Sequence, residues 1–276
     1  MKNIILVPTD FSEVCNNAIK QASVTAQILK YGICLLHVIN KDTRAYLDKS
    51  YLGDSAIGDM LDKKANEIHL KYKVPVETRV VEGSIFKTIG AVATEIDATL
   101  MFLGTHGKVG MQKLTGSFAL KVITRSPIPV IVVHNRSSRK GFINIVMPVT
   151  SESGPMEKTK WAAFIAQQYG ATIHIFQTDT VDCNVVEAAK RMNDYFKIND
   201  VKHTYNIAVR SSGFSKSVID YATSLDADLI LIMTNPDSNF KKFFLGTYDE
   251  EMIFNAPQIP VMCINPRKFK YPILER

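Results

Sequence analysis

The most constraining feature of this chain is an internal repeat, because short patterns from its first half return in the same order in its second half. The recurring pairs of segments are residues 6–8 and 146–148, 96–100 and 225–229, 116–117 and 246–247, and 129–130 and 260–261. The separation between paired segments changes only slightly along the chain. This shared order predicts a duplicated domain, and 276 residues are enough for two domains of ordinary size.

Each repeat contains short apolar runs separated by amphipathic stretches. The predicted strands of the first repeat are residues 3–8, 32–39, 76–81, 99–103 and 129–133, and those of the second are 142–148, 172–176, 203–209, 229–233 and 261–264. Continuous apolar strands alternating with helices indicate a parallel sheet that is covered on both faces. With right-handed crossovers, this pattern predicts two tandem doubly wound α/β domains.

The polar stretch at residues 135–141, NRSSRKG, is typical of a linker. We therefore predict a first domain at residues 1–135, a second at 141–266 and a C-terminal tail at 267–276.

Composition and charge exclude several functional classes. Lys and Arg exceed Asp and Glu by 33 − 27 = 6, but the excess is scattered and is not interleaved with aromatics, so we expect no nucleic-acid partner. No apolar run approaches the ~20 residues of a membrane span, and the N-terminal run is too short for a signal peptide. The four cysteines form no C-x-x-C pair or zinc pattern, which fits a reducing, cytoplasmic location.

A glycine-rich loop follows the predicted fourth strand at residues 104–117 and leads into a helix. Gly104 and Gly107 lack a Cβ, so their backbone could approach a ligand closely and adopt positive φ. Gly116 and Ser117 fall near a helix N-terminus, where amide groups and the helix dipole favour an anion. The loop therefore predicts a phosphate site, although the glycine spacing alone is equally compatible with a surface loop that caps two elements.

Four motifs of this chain resemble the universal stress protein family: VPTDFS at residues 7–12, LLHV at 35–38, GTHG followed by GS at 104–117, and SPIPVIVV at 126–133. The resemblance extends over both repeats, as in a tandem member of the family. It implies an adenine nucleotide alpha hydrolase-like fold, with strand order 3-2-1-4-5 in each five-stranded sheet. One subclass of the family binds ATP through G-x2-G-x9-G-S/T, whereas eight residues separate Gly107 from Gly116 here, one fewer than in that pattern.

The resemblance also implies individual ligand contacts in the first domain. Asp10 would lie near the ribose or a bound metal ion such as Mg²⁺, and Val38 would meet the adenine through its backbone. The phosphates would be held by Gly104, Gly107, Gly116 and Ser117.

The second domain departs from these motifs. Thr150 stands at the position of Asp10, and Met233 and Pro236 stand at those of Gly104 and Gly107. Proline lacks an amide hydrogen, and methionine adds bulk where the backbone must approach a phosphate. We therefore expect no ATP binding of the family type in this domain.

The resulting expectation is a stress-response regulatory protein that holds ATP in its first domain without efficient turnover. No catalytic base, arginine finger or nucleophile is assembled in the motifs, and the loop residue His106 and the strand residue His37 are interpreted as structural. A slow ATPase and an interaction protein that binds no nucleotide stay open as alternatives.

Expected partners are an adenine nucleotide, an unidentified protein, and a second copy in a homodimer or the other repeat in an intrachain pseudo-dimer. Residues 42–60 form either a lid or a protein-contact loop.

Overall fold

The computed structural model describes residues 3–51, 53, 55–105, 113–136, 141–150, 155–208, 213–234 and 247–266. The chain divides into two compact units, Met1–Ser138 and Arg139–Arg276. Within the described residues, every helix is too short or too polar to cross a lipid bilayer.

The first unit alternates strands with helices around one parallel sheet. Its elements are β1 (Ile4–Pro8), α1 (Glu13–Leu29), β2 (Gly32–Ile39), α2 (Lys41–Lys49), α3 (Ala56–Tyr72), β3 (Val76–Glu82), α4 (Ile85–Glu95), β4 (Leu100–Gly104), α5 (Lys113–Arg125) and β5 (Val130–Val133). The strand order is β3-β2-β1-β4-β5. Because β1 lies between β2 and β4, the chain changes its direction of progress across the sheet at β1, which is the topological switch point.

Local signals in the sequence explain where the central elements begin and end. All residues of β1 are buried, as expected for a strand with helices on both faces. Helix α1 starts after Ser12, whose side chain accepts the Cys15 amide, and stops at Lys30 in the left-handed conformation. These signals keep the connection between β1 and α1 short, so that the first turn of α1 lies beside the end of β1.

The second unit repeats the arrangement with its own elements. These are β6 (Asn144–Val149), α6 (Pro155–Tyr169), β7 (Thr172–Thr178), α7 (Cys183–Ile198), β8 (His203–Ala208), α8 (Phe214–Ser224), β9 (Leu229–Met233), α9 (Thr247–Ile253) and β10 (Val261–Ile264). The strand order is β8-β7-β6-β9-β10. The prediction of two doubly wound parallel sheets with order 3-2-1-4-5 is therefore confirmed.

Strand register supports the alignment in which the segment 6–8 of the first repeat corresponds to 146–148 of the second. Ile4 pairs with Gly32 in the first sheet, and Asn144 pairs with Thr172 in the second, so equivalent positions pair in both units. The predicted strands match the observed ones to within two residues at each described end. Val209, the last residue of the predicted strand at 203–209, lies outside the described residues.

A buried carboxylate fixes the start of the central strand in the second unit. Asp228, which is 8% exposed, accepts the backbone amides of Ile143 and Asn144 at 2.9 and 3.0 Å through Oδ2. It precedes β9 directly, so its two hydrogen bonds join the beginnings of β6 and β9. In the alignment of the two repeats, Thr99 holds the corresponding place in the first unit.

Replacing Asp228 by Ala should destabilise the second unit by about 2–3 kcal/mol, because two buried amides would lose a charged acceptor. The fluorescence of Trp161, the one tryptophan of the chain and a buried residue of α6, reports unfolding of this unit during denaturant titration. Asp220→Ala serves as the control, since Asp220 is exposed in a surface pair with Lys216 and should contribute no more than about 0.5 kcal/mol. Equal effects of the two substitutions would contradict this role of Asp228.

Candidate functional site

A cavity of about 600 Å³ lies at the carboxyl edge of the first sheet. Its floor is formed by the ends of β1, β2 and β4, and its walls by the start of α1 and by helices α2, α3, α4 and α5. This is the place where open parallel sheets bind ligands, and the volume lies within the range of about 300–1,000 Å³ that is usual for small-molecule sites.

Three of the predicted site residues meet in this cavity. Asp10, Val38 and Gly104 all line it, although they are far apart in the sequence. They converge because each lies at or just past the end of one of three neighbouring parallel strands. Gly107 and His106 lie outside the described residues.

The remaining two predicted residues, Gly116 and Ser117, belong to α5, which begins three residues before Gly116 at Lys113. The next residue, Phe118, lines the cavity and is 39% exposed. The part of α5 that lines the cavity therefore begins at Phe118, directly after Gly116 and Ser117.

Asp10 lies just past β1 in a turn that leads into α1. Its Oδ1 accepts the Ser12 amide at 2.9 Å. Partial burial acts to raise the pKa of Asp10, but hydrogen bonds from the side chains of Ser12 and Cys15 and from the Ser12 backbone outweigh this, so the pKa is lowered. The site thus holds an ionised carboxylate at neutral pH.

Gly104 is needed for a close contact between protein segments. A Cβ at this position would lie 2.8 Å from the Val14 carbonyl oxygen and 3.0 Å from the backbone N and Cα of Cys15. Gly104 does not have positive φ, so of the two properties that the sequence analysis considered for it, the lack of a Cβ is the one that matters here. Its missing side chain lets the first turn of α1 approach the end of β4.

Strand β2 continues past the end of β1, and the backbone of Val38 faces the space that this leaves beside the cavity. The amide of Thr9 donates to the Leu36 carbonyl at 2.8 Å, so the polar backbone groups of Leu36 point toward β1. Strand backbone groups alternate in direction, and those of Val38 therefore point the same way, beyond the last register pair of Pro8 with Leu36.

His37 ties the ends of β1 and β2 to α2. Its Nδ1 lies 2.8 Å from the Thr9 carbonyl oxygen and its Nε2 lies 3.0 Å from the Thr43 hydroxyl. The Phe11 ring stacks on the imidazole with centroids 5.2 Å apart, and Phe11 has φ of 65°, which is unusual for an aromatic residue. Burial lowers the pKa of His37 despite the opposing effect of the Thr9 hydrogen bond, so the ring is neutral near pH 7.

The segment at residues 42–60, whose role the sequence left open, contributes to the cavity wall. Helix α2 places Asp42, Thr43 and Tyr46 on the cavity, and the start of α3 adds Ile57 and Met60. A lid over the nucleotide was one of two interpretations of this segment, but no motif singled out these residues. Their signal was weak because α2 is short and mostly polar, with Leu47 as its one buried residue.

A buried hydroxyl group in the cavity wall has no partner among the residues that the structure describes. Thr105 follows Gly104, lines the cavity and is 4% exposed, and its Oγ1 makes no hydrogen bond. Buried polar atoms without partners are uncommon and mark places where a ligand or water could bind.

The charges around the cavity are acidic. The charged side chains among its described lining residues are those of Asp10 and Asp42. The described residues contain no group of three His, Cys, Asp or Glu side chains that could hold a metal ion by themselves. A metal ion beside Asp10 would therefore need further ligands from a phosphate and water.

Comparison with known proteins places this site in a family. Residues 1–134 match the model of the universal stress protein family. Universal stress protein MJ0531 of Methanocaldococcus jannaschii is 30% identical over 138 residues, which cover 47% of this chain and 80% of that protein. The chain belongs to the universal stress protein family. A second family member from that organism, MJ0577, is 27% identical over 157 residues, covering 49% of this chain and 96% of the relative.

Solved structures show the same fold over nearly the full length of the chain. A universal stress protein from Archaeoglobus fulgidus superposes with a TM-score of 0.77 at 17% identity and covers 96% of this chain and 99% of its own. A Pseudomonas aeruginosa protein described as functionally unknown, PA1789, superposes with a TM-score of 0.67 at 17% identity, covering 99% of this chain and 94% of its own. At these identities the similarity establishes the tandem α/β fold alone.

Gly104→Ala should destabilise the first unit by about 1–3 kcal/mol, because the new Cβ would meet backbone atoms of α1 that cannot move independently. Hydrogen exchange of the β4 and α1 amides measures this loss within the unit. Gly58→Ala in α3 is the control. A Cβ there meets nothing within 4 Å, so this substitution should raise the free energy of unfolding by up to about 1 kcal/mol. Unchanged protection of β4 in Gly104→Ala would refute the steric role.

Proposed function

We propose that the first unit binds ATP or a related adenine nucleotide, with Mg²⁺, and that the protein acts by holding this nucleotide without efficient turnover. The observation that carries the proposal is the convergence of Asp10, Val38 and Gly104 on one cavity at the switch point of the sheet. These are three of the six positions at which the family motif predicts nucleotide contacts.

The residues present fit such a ligand. The inner wall contains the buried apolar side chains of Val14, Ile57 and Ile89, which could accommodate an adenine ring. The backbone of Val38 can supply polar contacts to the edge of the base, and the unpaired hydroxyl of Thr105 can bind a polar group of the ligand. The N-terminal turn of α5 comes directly before the part of the helix that lines the cavity, and a helix N-terminus suits the phosphates.

The acidic lining makes a metal complex of the nucleotide the better ligand. A bare triphosphate would bring several negative charges into a cavity that holds the carboxylates of Asp10 and Asp42. A magnesium ion would neutralise part of this charge and could use Asp10 as a ligand, with phosphate oxygens and water completing its shell.

The described lining also supports slow or absent turnover. Among the described lining residues there is no Lys or Arg that could stabilise charge on a transferring phosphoryl group. Both ring nitrogens of His37 are engaged by Thr9 and Thr43, so this ring is not poised to activate water.

The second unit is proposed to bind no nucleotide in this manner. Met233, which is 3% exposed, ends β9 at the position where Gly104 ends β4. In the alignment that the strand register supports, the fully buried Lys158 replaces Ala18, and its Nζ donates to the Pro148 carbonyl at 2.6 Å. In the second unit, a bulky methionine and a buried lysine thus lie at the strand ends that correspond to the cavity floor of the first unit.

Calorimetric titration with ATP and Mg²⁺ should give saturable binding of one nucleotide per chain. Ala119→Phe, which fills the cavity beside α5, should weaken binding at least about tenfold, or about 1.4 kcal/mol. Ala91→Phe is the matched control, because Ala91 is exposed on α4 outside the cavity and should bind as the wild type does. Thermal melting of both variants establishes that each is folded.

The alternative is an interaction protein of the same fold that binds no nucleotide. It predicts no heat of binding for the wild type, or equal binding by Ala119→Phe and Ala91→Phe. Either result would overturn the proposed nucleotide site. Dimer formation and a protein partner stay predictions of the family resemblance.

A further inference from the structure

Helix α2 covers one side of the cavity in the first unit, and it presents polar groups there. Asp42 and Tyr46 line the cavity, and Tyr46 keeps 49% of its surface exposed. The two side chains lie four positions apart on the helix, so they share one face. Any ligand that fills the cavity toward the end of β2 would meet this face.

Several contacts hold α2 in place. The Asn40 side chain caps the helix by accepting the Thr43 amide at 2.9 Å, and Leu47 is buried beneath it. The Thr43 hydroxyl meets Nε2 of His37, whose other nitrogen is held by the Thr9 carbonyl. Since a carbonyl oxygen only accepts, Nδ1 of a neutral ring carries the hydrogen, and the one hydrogen of the Thr43 hydroxyl is shared between two acceptors, Nε2 of His37 and Oδ1 of Asn40 at 3.2 Å.

We propose that α2 is a fixed wall of the site and that Asp42 and Tyr46, which it places on the cavity, contact the base and ribose and so select the ligand. This inference rests on the proposed function and adds two residues that determine ligand selectivity. Asp42 accepts hydrogen bonds from ribose hydroxyls or the amino group of adenine, and Tyr46 provides an aromatic surface for the base.

The preference of α2 for the base and ribose follows from its charge. The carboxylate of Asp42 attracts hydrogen-bond donors and repels phosphate, whereas the N-terminus of α5 has the opposite preference. A nucleotide is itself divided in this way, since its ribose hydroxyls and adenine amino group are donors and its phosphates are anionic. Val38, whose backbone faces the gap beyond β1, is two residues before the cap of α2 and so belongs to the same end of the cavity.

Calorimetry with adenosine and with ATP and Mg²⁺ tests the inference. Asp42→Asn should weaken binding of both ligands by about tenfold or more, as expected for loss of a charged acceptor. Asp48→Asn removes the same charge from the same helix at an exposed position outside the cavity and should change neither affinity more than about twofold. Tyr46→Ala should also weaken both ligands about tenfold, whereas Tyr51→Ala, at a 98% exposed position, should not.

The outcomes separate this inference from the proposed function. Wild-type binding with no difference between Asp42→Asn and Asp48→Asn overturns the role of α2 while the nucleotide site stands. Tighter ATP binding by Asp42→Asn with unchanged adenosine binding overturns the contact of Asp42 with the base and ribose, because Asp42 would then face phosphate. Absence of ATP and adenosine binding in the wild type refutes both proposals.

Substitutions of Thr43 test whether α2 is already held in place in the ligand-free protein. In the ligand-free protein, Thr43→Val should increase hydrogen exchange of the α2 amides at least about threefold, because the contact with His37 is lost. Thr43→Val should also weaken the binding of both adenosine and ATP. Thr43→Ser keeps the hydroxyl and should restore protection and affinity. Equal exchange in the Val and Ser variants would overturn the anchoring role of this hydroxyl.

Discussion

The close approach of α1 to the end of β4 is the constraint on which the site depends. The first turn of α1 lies so near Gly104 that a single added carbon would come within 3.0 Å of backbone atoms of Val14 and Cys15. The absence of a side chain at Gly104 sets how closely α1 can approach the sheet. The turn before α1 carries Asp10 and Phe11, and the residue after Gly104 is Thr105, so the position of α1 sets the spacing of the polar groups around the cavity.

The two units show how one fold can be adapted differently in a single chain. Both have the same strand order and nearly the same register, because apolar strands and short connections determine those features. The ends of the strands are free to vary, since they are not needed for the sheet to form. In the first unit they carry Asp10 and Gly104, whereas in the second Met233 and the ammonium group of Lys158 occupy the corresponding region.

The fold could be predicted from the sequence because its signals are local and repeated, whereas the helical wall of the site was harder to predict. The apolar runs that became β1, β4 and β10 are recognisable without knowledge of their neighbours, and parallel strands that end at one edge bring Asp10 and Gly104 together. Helix α2 has a single buried residue and a mostly polar sequence, so its periodicity resembles that of a solvated loop. Its place over the cavity is held by contacts between elements, such as that of the Thr43 hydroxyl with His37, which no spacing reveals. The crowding by α1 that excludes a side chain at Gly104 is likewise a contact between distant segments that the sequence does not show.

A crystal structure of the full chain grown with ATP and Mg²⁺ is the decisive test of the proposed nucleotide site. We expect nucleotide density in the first unit, with the base near Val38 and α2 and the phosphates near the N-terminus of α5. We expect no nucleotide beside Met233 in the second unit. Density at the strand ends of the second unit, or an unoccupied first cavity at a saturating ATP concentration, would contradict this proposal.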